Sequence, residues 1–531
     1  MKHPGTILAP LAFLLSACDS PFQFAAPIAS VQVVPDSAAL NPGDSVRFSA
    51  TARDTTGGIV SGVRFVWSSA SESVATVTPL GWVHALHPGR VLITADAQGV
   101  LGRAPLSVLT DIAAASIDQG DVTLVPGGTL QFSASGRDAA GDTLYNRPVT
   151  WRTGDTSVVQ VTATGLVTGL RPGDTFLAAT FGGILQVAQI SVRPAHFYAV
   201  VASSEADHTC ALANASVVFC WGSSNLGQVG VPGITGSLAP VAASHNPLFN
   251  DVTVGGTFTC ALGVGTTYCW GSSARGRLGA GTQQHSTATP TLVTGAAYLS
   301  SLAAGWAHAC GLQGNFTVCW GENPAAGSDS GTINWTPQPV VSDSPLTVLA
   351  AGVGFTCALT PSGRPFCWGV NDAGQLGTGN RVTTPQPSAV ADSLTLAAIT
   401  AGASHACGLD LGGVAYCWGA NQKGQLGTGD TVAALTPVPV SGGLTFTRIG
   451  AGGNHTCAIA TGGQAYCWGD GALSPAPLGG GQSFFQISVG NAHACGFTSA
   501  AVYCWGKNNA GQLGDGTTID RTTPVLVIGQ H

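Results

Sequence analysis

Charge is scarce in this sequence. Only 8% of its residues are Asp, Glu, Lys or Arg, where an ordinary soluble chain has about 25%. With 19 Lys and Arg and a net charge of −7, there are too few cations to track a phosphate backbone, which excludes nucleic acid as a partner. Charge this sparse also argues against long amphipathic helices, whose outer faces need it. Catalytic signatures are missing too. The sequence has no Gly-x-Ser-x-Gly, His-Glu-x-x-His or P-loop motif. Its carboxylates Glu205, Asp207 and Glu322 stand isolated and read as solvated surface groups. The expectation is a non-enzyme without cofactor. Beyond the N-terminus no stretch reaches 18 consecutive apolar residues, the minimum for a spanning helix. What replaces charge is glycine, 74 residues, with Ser/Thr-rich stretches in a chain that is 44% hydrophobic. That balance suits tightly turned, all-β structure.

The first residues read as a processing signal. Lys2 supplies a positive start, Ile7 to Leu15 an apolar segment too short to cross a bilayer, and Leu15-Ser16-Ala17-Cys18 a small-residue cleavage site. This pattern resembles the bacterial lipoprotein signal. The resemblance implies removal of residues 1–17, a lipid on Cys18 and anchoring in a bacterial cell envelope, inner or outer membrane unresolved. Two or more acyl chains hold a protein stably on a membrane.

Apart from Cys18, fourteen cysteines remain, and they fall in seven pairs. These are Cys210 with Cys220, Cys260 with Cys269, Cys310 with Cys319, Cys357 with Cys367, Cys407 with Cys417, Cys457 with Cys467, and Cys495 with Cys504. Separation within a pair is always 9 or 10. An even count, a fixed spacing and an export signal together indicate disulfides, one within each repeat. The two separations imply different turns or a bulge.

Two internal repeats divide the chain. The first has a period of 84: Pro42-Gly43 returns as Pro126-Gly127, Phe48 as Phe132, Trp67 as Trp151, Gly81 as Gly165. Short alternating runs between Gly, Pro and Asp turns read as small antiparallel sandwiches. The Pro-Gly-Asp turn, Trp67-Ser68-Ser69, Val74-Ala75-Thr76-Val77 and Gly81-Trp82-Val83 resemble the bacterial Ig-like group 2 domain, a spacer of surface and adhesion proteins. Trp67 and Trp151 read as core anchors.

The second repeat has a unit of about 50 residues: Gly, two variable residues, His-x-Cys, a turn, aromatic-Cys-Trp-Gly, then Asn-x-x-Gly-Gln-Leu-Gly-x-Gly. Cys-Trp-Gly occurs seven times. Because side chains alternate along a strand, both faces of such a hairpin are apolar or aromatic, as a blade stacked between two others requires. The units resemble the regulator of chromosome condensation repeat, which implies a seven-bladed β-propeller. Unit three replaces Gly-Gln-Leu-Gly by Pro-Ala-Ala-Gly, and unit six is shortened after Trp468, which predicts a trimmed blade edge. No blade insertion resembles the wedge with which founders of that family exchange nucleotide on a GTPase.

The expected organisation is therefore a signal peptide 1–17, a linker 18–27, Ig-like modules at 28–110 and 111–195, and a seven-bladed propeller at 196–531. His208, His308, His405, His455 and His493 belong to separate units, and Phe258 and Phe355 hold the same place, so this is an aromatic packing position; no metal is expected. Trp306 and Trp335 break the repeat and are the candidate partner-binding residues. Trp306 fills the variable slot after Gly305, which suits either a partner-binding anchor or a plug between blades. The function that follows is a non-catalytic envelope lipoprotein whose two-module stalk presents a propeller to a protein or glycan. Inhibition of an extracellular enzyme is the alternative, ahead of an envelope hydrolase or lyase or a nucleotide-exchange regulator.

Overall fold

The computed structural model describes residues 27–530, apart from 110–111, 140, 142, 145–147, 214–215, 244–247, 282–285, 323–331 and 392. Cys18, the leader and the Pro-Ala-Ala-Gly segment of unit three lie outside the described residues. The described chain is strand and turn, with a 3-10 turn at Ala274–Gly276.

The first Ig-like module is built on a long hairpin. Gly89–Ala97 pairs with Val100–Val108, and Ala38–Leu40 adds to its far edge in parallel. Along Gly89–Ala97 every second residue from Val91 is buried, the period-two pattern of a strand with one face on a core. Phe48 fills the centre at 1% exposure, while Trp67 is half-buried and flanks it. The core anchor is thus Phe48, and Trp67 closes its margin. Gly81 has φ +80°, and a Cβ there would lie 2.3 Å from the Phe48 carbonyl oxygen, so glycine is required.

The second module repeats the plan 84 residues later. Gly173–Phe181 pairs with Ile184–Val192, Val122–Leu124 adds in parallel, and Phe132 is buried with Trp151 edge-on to it. This module also continues into the propeller. Leu124 pairs antiparallel with Val241 on the outer strand of the first blade, which makes one eight-stranded sheet. Val125 is buried among Phe197, Trp221 and Val527, and Ala195 bridges Gln530. The second module is therefore part of the propeller head and not a free stalk segment, a correction to the sequence expectation.

Seven four-stranded antiparallel blades follow, each from one contiguous stretch. Blade five, for example, runs Leu396–Ala401, His405–Asp410, Ala415–Gly419 and Ala434–Pro439. Cys-Trp-Gly sits on the third strand of each. The register to the fourth strand shifts between Cys and Gly in all seven blades, and the glycines have φ between 93° and 111°. At Gly419 a Cβ would meet the Ser404 carbonyl oxygen at 2.6 Å. The bulge turns each tryptophan toward the preceding blade, where it is buried.

The cysteines face each other across the second and third strands. Cys210 bonds Cys220, Cys260 bonds Cys269, Cys310 bonds Cys319, and the four later pairs follow suit, with Cα atoms 4.0–4.1 Å apart in all seven. Their two separations reflect two hairpins. A spacing of 9 goes with a two-residue loop, as where Gln313 pairs Phe316 ahead of Cys319. A spacing of 10 goes with a three-residue loop whose last residue is left-handed, as Gly413 at φ 81° between Asp410 and Val414.

Blade six keeps its fourth strand, Ala472–Pro477. What the short sequence removes is the loop before it, not the blade edge. Fourteen residues separate Gly419 from Ala434 in blade five, and two separate Gly469 from Ala472 in blade six.

Candidate partner-binding groove

The glycine-plus-variable slot lies between the first and second strands of blades two to seven, next to the propeller axis, and Glu205 takes the glycine's place in blade one. Its backbone joins neighbours: the amide of Gly256 donates to Gly305 O (3.2 Å), Trp306 to Gly352 O (3.4 Å), Val353 to Ala403 O (3.3 Å) and Ala403 to Gly452 O (3.0 Å). The side chain at this slot varies because the backbone makes the inter-blade bond. The glycine before it is fixed by contact. At Gly305, Gly402 and Gly490 a Cβ would fall 2.3–2.4 Å from the Cε1 of the blade's own histidine.

Those histidines are packing and bonding groups. His208, His308, His405 and His493 are buried, and each Nε2 lies 2.8–2.9 Å from the threonine hydroxyl of the following blade: Thr259, Thr356, Thr456 and Thr209. Burial holds His308 down to about 4 and the other three to about 3. A neighbouring imidazole adds to the effect, His493 at His208 and His455 at both His405 and His493. All four are neutral at physiological pH.

Trp306 is half-buried, and its ring is not free on all sides. The Arg275 guanidinium lies 5.1 Å and the Arg277 guanidinium 5.6 Å from its centroid, both within cation–π range. Arg275 occupies a left-handed conformation at φ 61° and is bonded to Glu322. Arg277 stands where other blades carry the Gln of Gly-Gln-Leu-Gly. Its carbonyl still accepts Trp320 Nε1 (3.0 Å), so the exchange spares the blade contact and alters only the side chain. Its Nε donates to Ala274 O (2.8 Å) and its Nη1 to Thr257 Oγ1 (2.6 Å). Burial, and then the charge of Arg275, push its pKa down to about 10, which leaves it cationic at neutral pH.

Around this triad opens a groove of about 350 Å³, lined by Arg275, Trp306, Glu322, Val353, Val370 and Asp372 among others. It combines a guanidinium group, two carboxylates, an aromatic ring and two valines, a mixture suited to reversible recognition of a polar chain, while Arg277 is buried and supports the indole from outside the lining. Trp335 does not belong to it. That residue is half-buried on the outer strand Ile333–Val340, where its carbonyl accepts the Gly281 amide. Glu322 is engaged by Arg275 instead of standing isolated, and Glu205 is half-buried, its pKa raised by burial and by Asp207. Both depart from the solvated-surface reading. The two arginines were missed because the repeat itself hid them: a basic residue at the Gln position was the one available signal.

Comparison with known proteins accords with this architecture. The Bacterial Ig-like domain (group 2) model matches residues 27–108 and 111–192. The Regulator of chromosome condensation (RCC1) repeat matches residues 265–312, 362–409, 412–459 and 499–530, with a second model of that repeat at 397–425. Ice-binding protein 1 of Shewanella frigidimarina (strain NCIMB 400) is 29% identical over 143 residues, 26% of this chain and 16% of that protein. The ultraviolet-B receptor of Arabidopsis thaliana is 26% identical over 207 residues, 37% of this chain and 44% of the receptor. The chain thus spans less than half the length of either relative. Prp20p of Saccharomyces cerevisiae superposes with a TM-score of 0.54 at 21% identity, covering 60% of this chain and 87% of that one, a likeness of fold. The chain thus carries two Bacterial Ig-like (group 2) domains at its N-terminal side, followed by Regulator of chromosome condensation (RCC1) repeats in its propeller.

Proposed function

We propose that this protein is a non-catalytic surface interaction scaffold, anchored by lipid at Cys18, whose propeller binds a protein or glycan through the groove around Trp306. The observation that carries the reading is a departure from the repeat where blades two and three meet. Arg275, Arg277 and Trp306 gather in one place, while the contact from the Arg277 carbonyl to the blade-three tryptophan is kept. Ig-like domains and seven disulfides suit an extracytoplasmic surface.

The purified propeller with its second module, used as bait against envelope and culture extracts, identifies the partner. Trp306→Ala should then weaken binding by roughly 30-fold, the loss of one aromatic anchor, and lower the melting temperature by only a few degrees. Unchanged affinity in a folded variant sinks the groove assignment. The anchor has its own test. Mass spectrometry of the membrane fraction should find an acylated peptide beginning at Cys18, and retention of residues 1–17 would overturn the lipid.

A further inference from the structure

Each blade with a full repeat carries a clamp for the next. The glutamine carbonyl of Gly-Gln-Leu-Gly, or of Gly-Gln-Val-Gly in blade one, accepts the indole N–H of the following blade: Gln228 from Trp270 (3.0 Å), Gln375 from Trp418 (2.9 Å), Gln425 from Trp468 (3.0 Å), and across the ring closure Gln512 from Trp221 (2.9 Å). The clamp leucine covers the disulfide of its own blade. Leu376 packs with Cys357, Cys367 and Trp418; Leu426 with Cys407, Cys417 and Trp468; Leu513 with Cys495, Cys504 and Trp221. All three leucines have no exposed surface.

Blade six has no such clamp, because the chain passes from Gly469 to its fourth strand at Ala472. Three consequences coincide at one place. Trp505 Nε1 has no hydrogen-bond partner among the described residues, and its ring is 6% exposed where the other six Cys-Trp-Gly tryptophans are at 0–1%. Cys467 is half-buried, whereas the other thirteen paired cysteines have no exposed surface. Between blades six and seven lies a cleft of about 230 Å³, lined by Cys457, Cys467, Trp505, Leu478, His455 and Asp470 among others.

We infer that this cleft is a docking site for a leucine-bearing turn of a partner protein, of the Gly-x-Leu-Gly kind that fills the same place in the other blades. The occupant is defined by the molecule's own repeats: an apolar side chain to cover the Cys457–Cys467 disulfide, and a turn carbonyl to accept Trp505 Nε1. The clamps of blades one, two, four, five and seven are each engaged with the next blade's tryptophan, so none of them is free to fill the cleft. This site is separate from the Trp306 groove, and either stands if the other fails.

The probe is a cyclised peptide of the blade-five clamp, residues 421–430, titrated into the full chain. It should bind saturably, with at least fivefold weakening when its Leu426 is replaced by Ala, and similar weakening for Trp505→Phe, which removes the donor. A chain with residues 420–433 grafted in place of Asp470 and Gly471 should lose the peptide and melt higher. In the parent chain, dithiothreitol should reduce Cys457–Cys467 before the other six disulfides, and bound peptide should slow that reduction. No saturable binding, or binding that survives the graft or the leucine replacement, overturns the proposal.

Discussion

Acidification from pH 7 to pH 5 should destabilise the propeller by several kcal/mol with every disulfide intact. Four histidines, His208, His308, His405 and His493, are held neutral by burial, with pKa values near 3 or 4 in the folded chain. The unfolded chain restores them to about 6.5. Between those values the unfolded state binds more protons, so stability is complete above about pH 6.5 and falls as the pH drops toward the folded values. Linkage gives about 2 kcal/mol per histidine at pH 5, and about 8 for four independent sites. His455 is also shifted down by burial, opposed by Asp470 at 3.4 Å. Raised carboxyls at Glu205, Asp207 and Asp251 pull the other way, since their folded forms favour the proton. Calorimetry between pH 7 and pH 5 should show a falling melting temperature. His405→Phe, which copies Phe355 of the preceding blade, should remove roughly a quarter of the slope. A melting temperature independent of pH over that range overturns the account.

The repeat made most of this legible. Cys-Trp-Gly recurs because one bulge, one buried indole and one disulfide solve the same packing problem in every blade, and a position shared by His405 and Phe355 had to be an aromatic packing site. Departures from the repeat were harder to place. Shortening of unit six looked like loss of an edge, yet strands pair by register, and Tyr466 opposite Pro477 keeps the edge while the clamp disappears. Arg277 drew no reading at all, because nothing in one sequence says that its loop reaches Trp306 in the next blade. Pairing of Leu124 with Val241 was out of reach for the same reason: it joins residues more than a hundred positions apart through a single bridge. Period reports what each unit does for itself. Contacts between units appear only where the structure stacks them.

Refolding under reducing conditions should abolish the propeller's cooperative unfolding transition while leaving that of the first Ig-like module unchanged. Closing a loop of about 10 residues contributes roughly 2–3 kcal/mol in the chain-entropy model, and seven such loops together contribute on the order of 15–20. A natural domain has about 5–15 kcal/mol in total, so the reduced propeller has no margin left. Each disulfide also sits in the apolar core between its blade and the next, as Cys269 does with Trp320 and Cys319 with Trp368, so its loss loosens that packing as well. Reductant must act during refolding. Thirteen of the fourteen paired cysteines have no exposed surface in the native state, and thiol exchange needs access to sulfur. Residues 27–109 contain no cysteine, so the first module serves as an internal control in the same chain. Near-ultraviolet circular dichroism, dominated by the blade tryptophans, should lose its native signal in the reduced sample and recover it on reoxidation. A reduced propeller that melts within a few degrees of the oxidised one would show that packing of the seven tryptophans suffices alone.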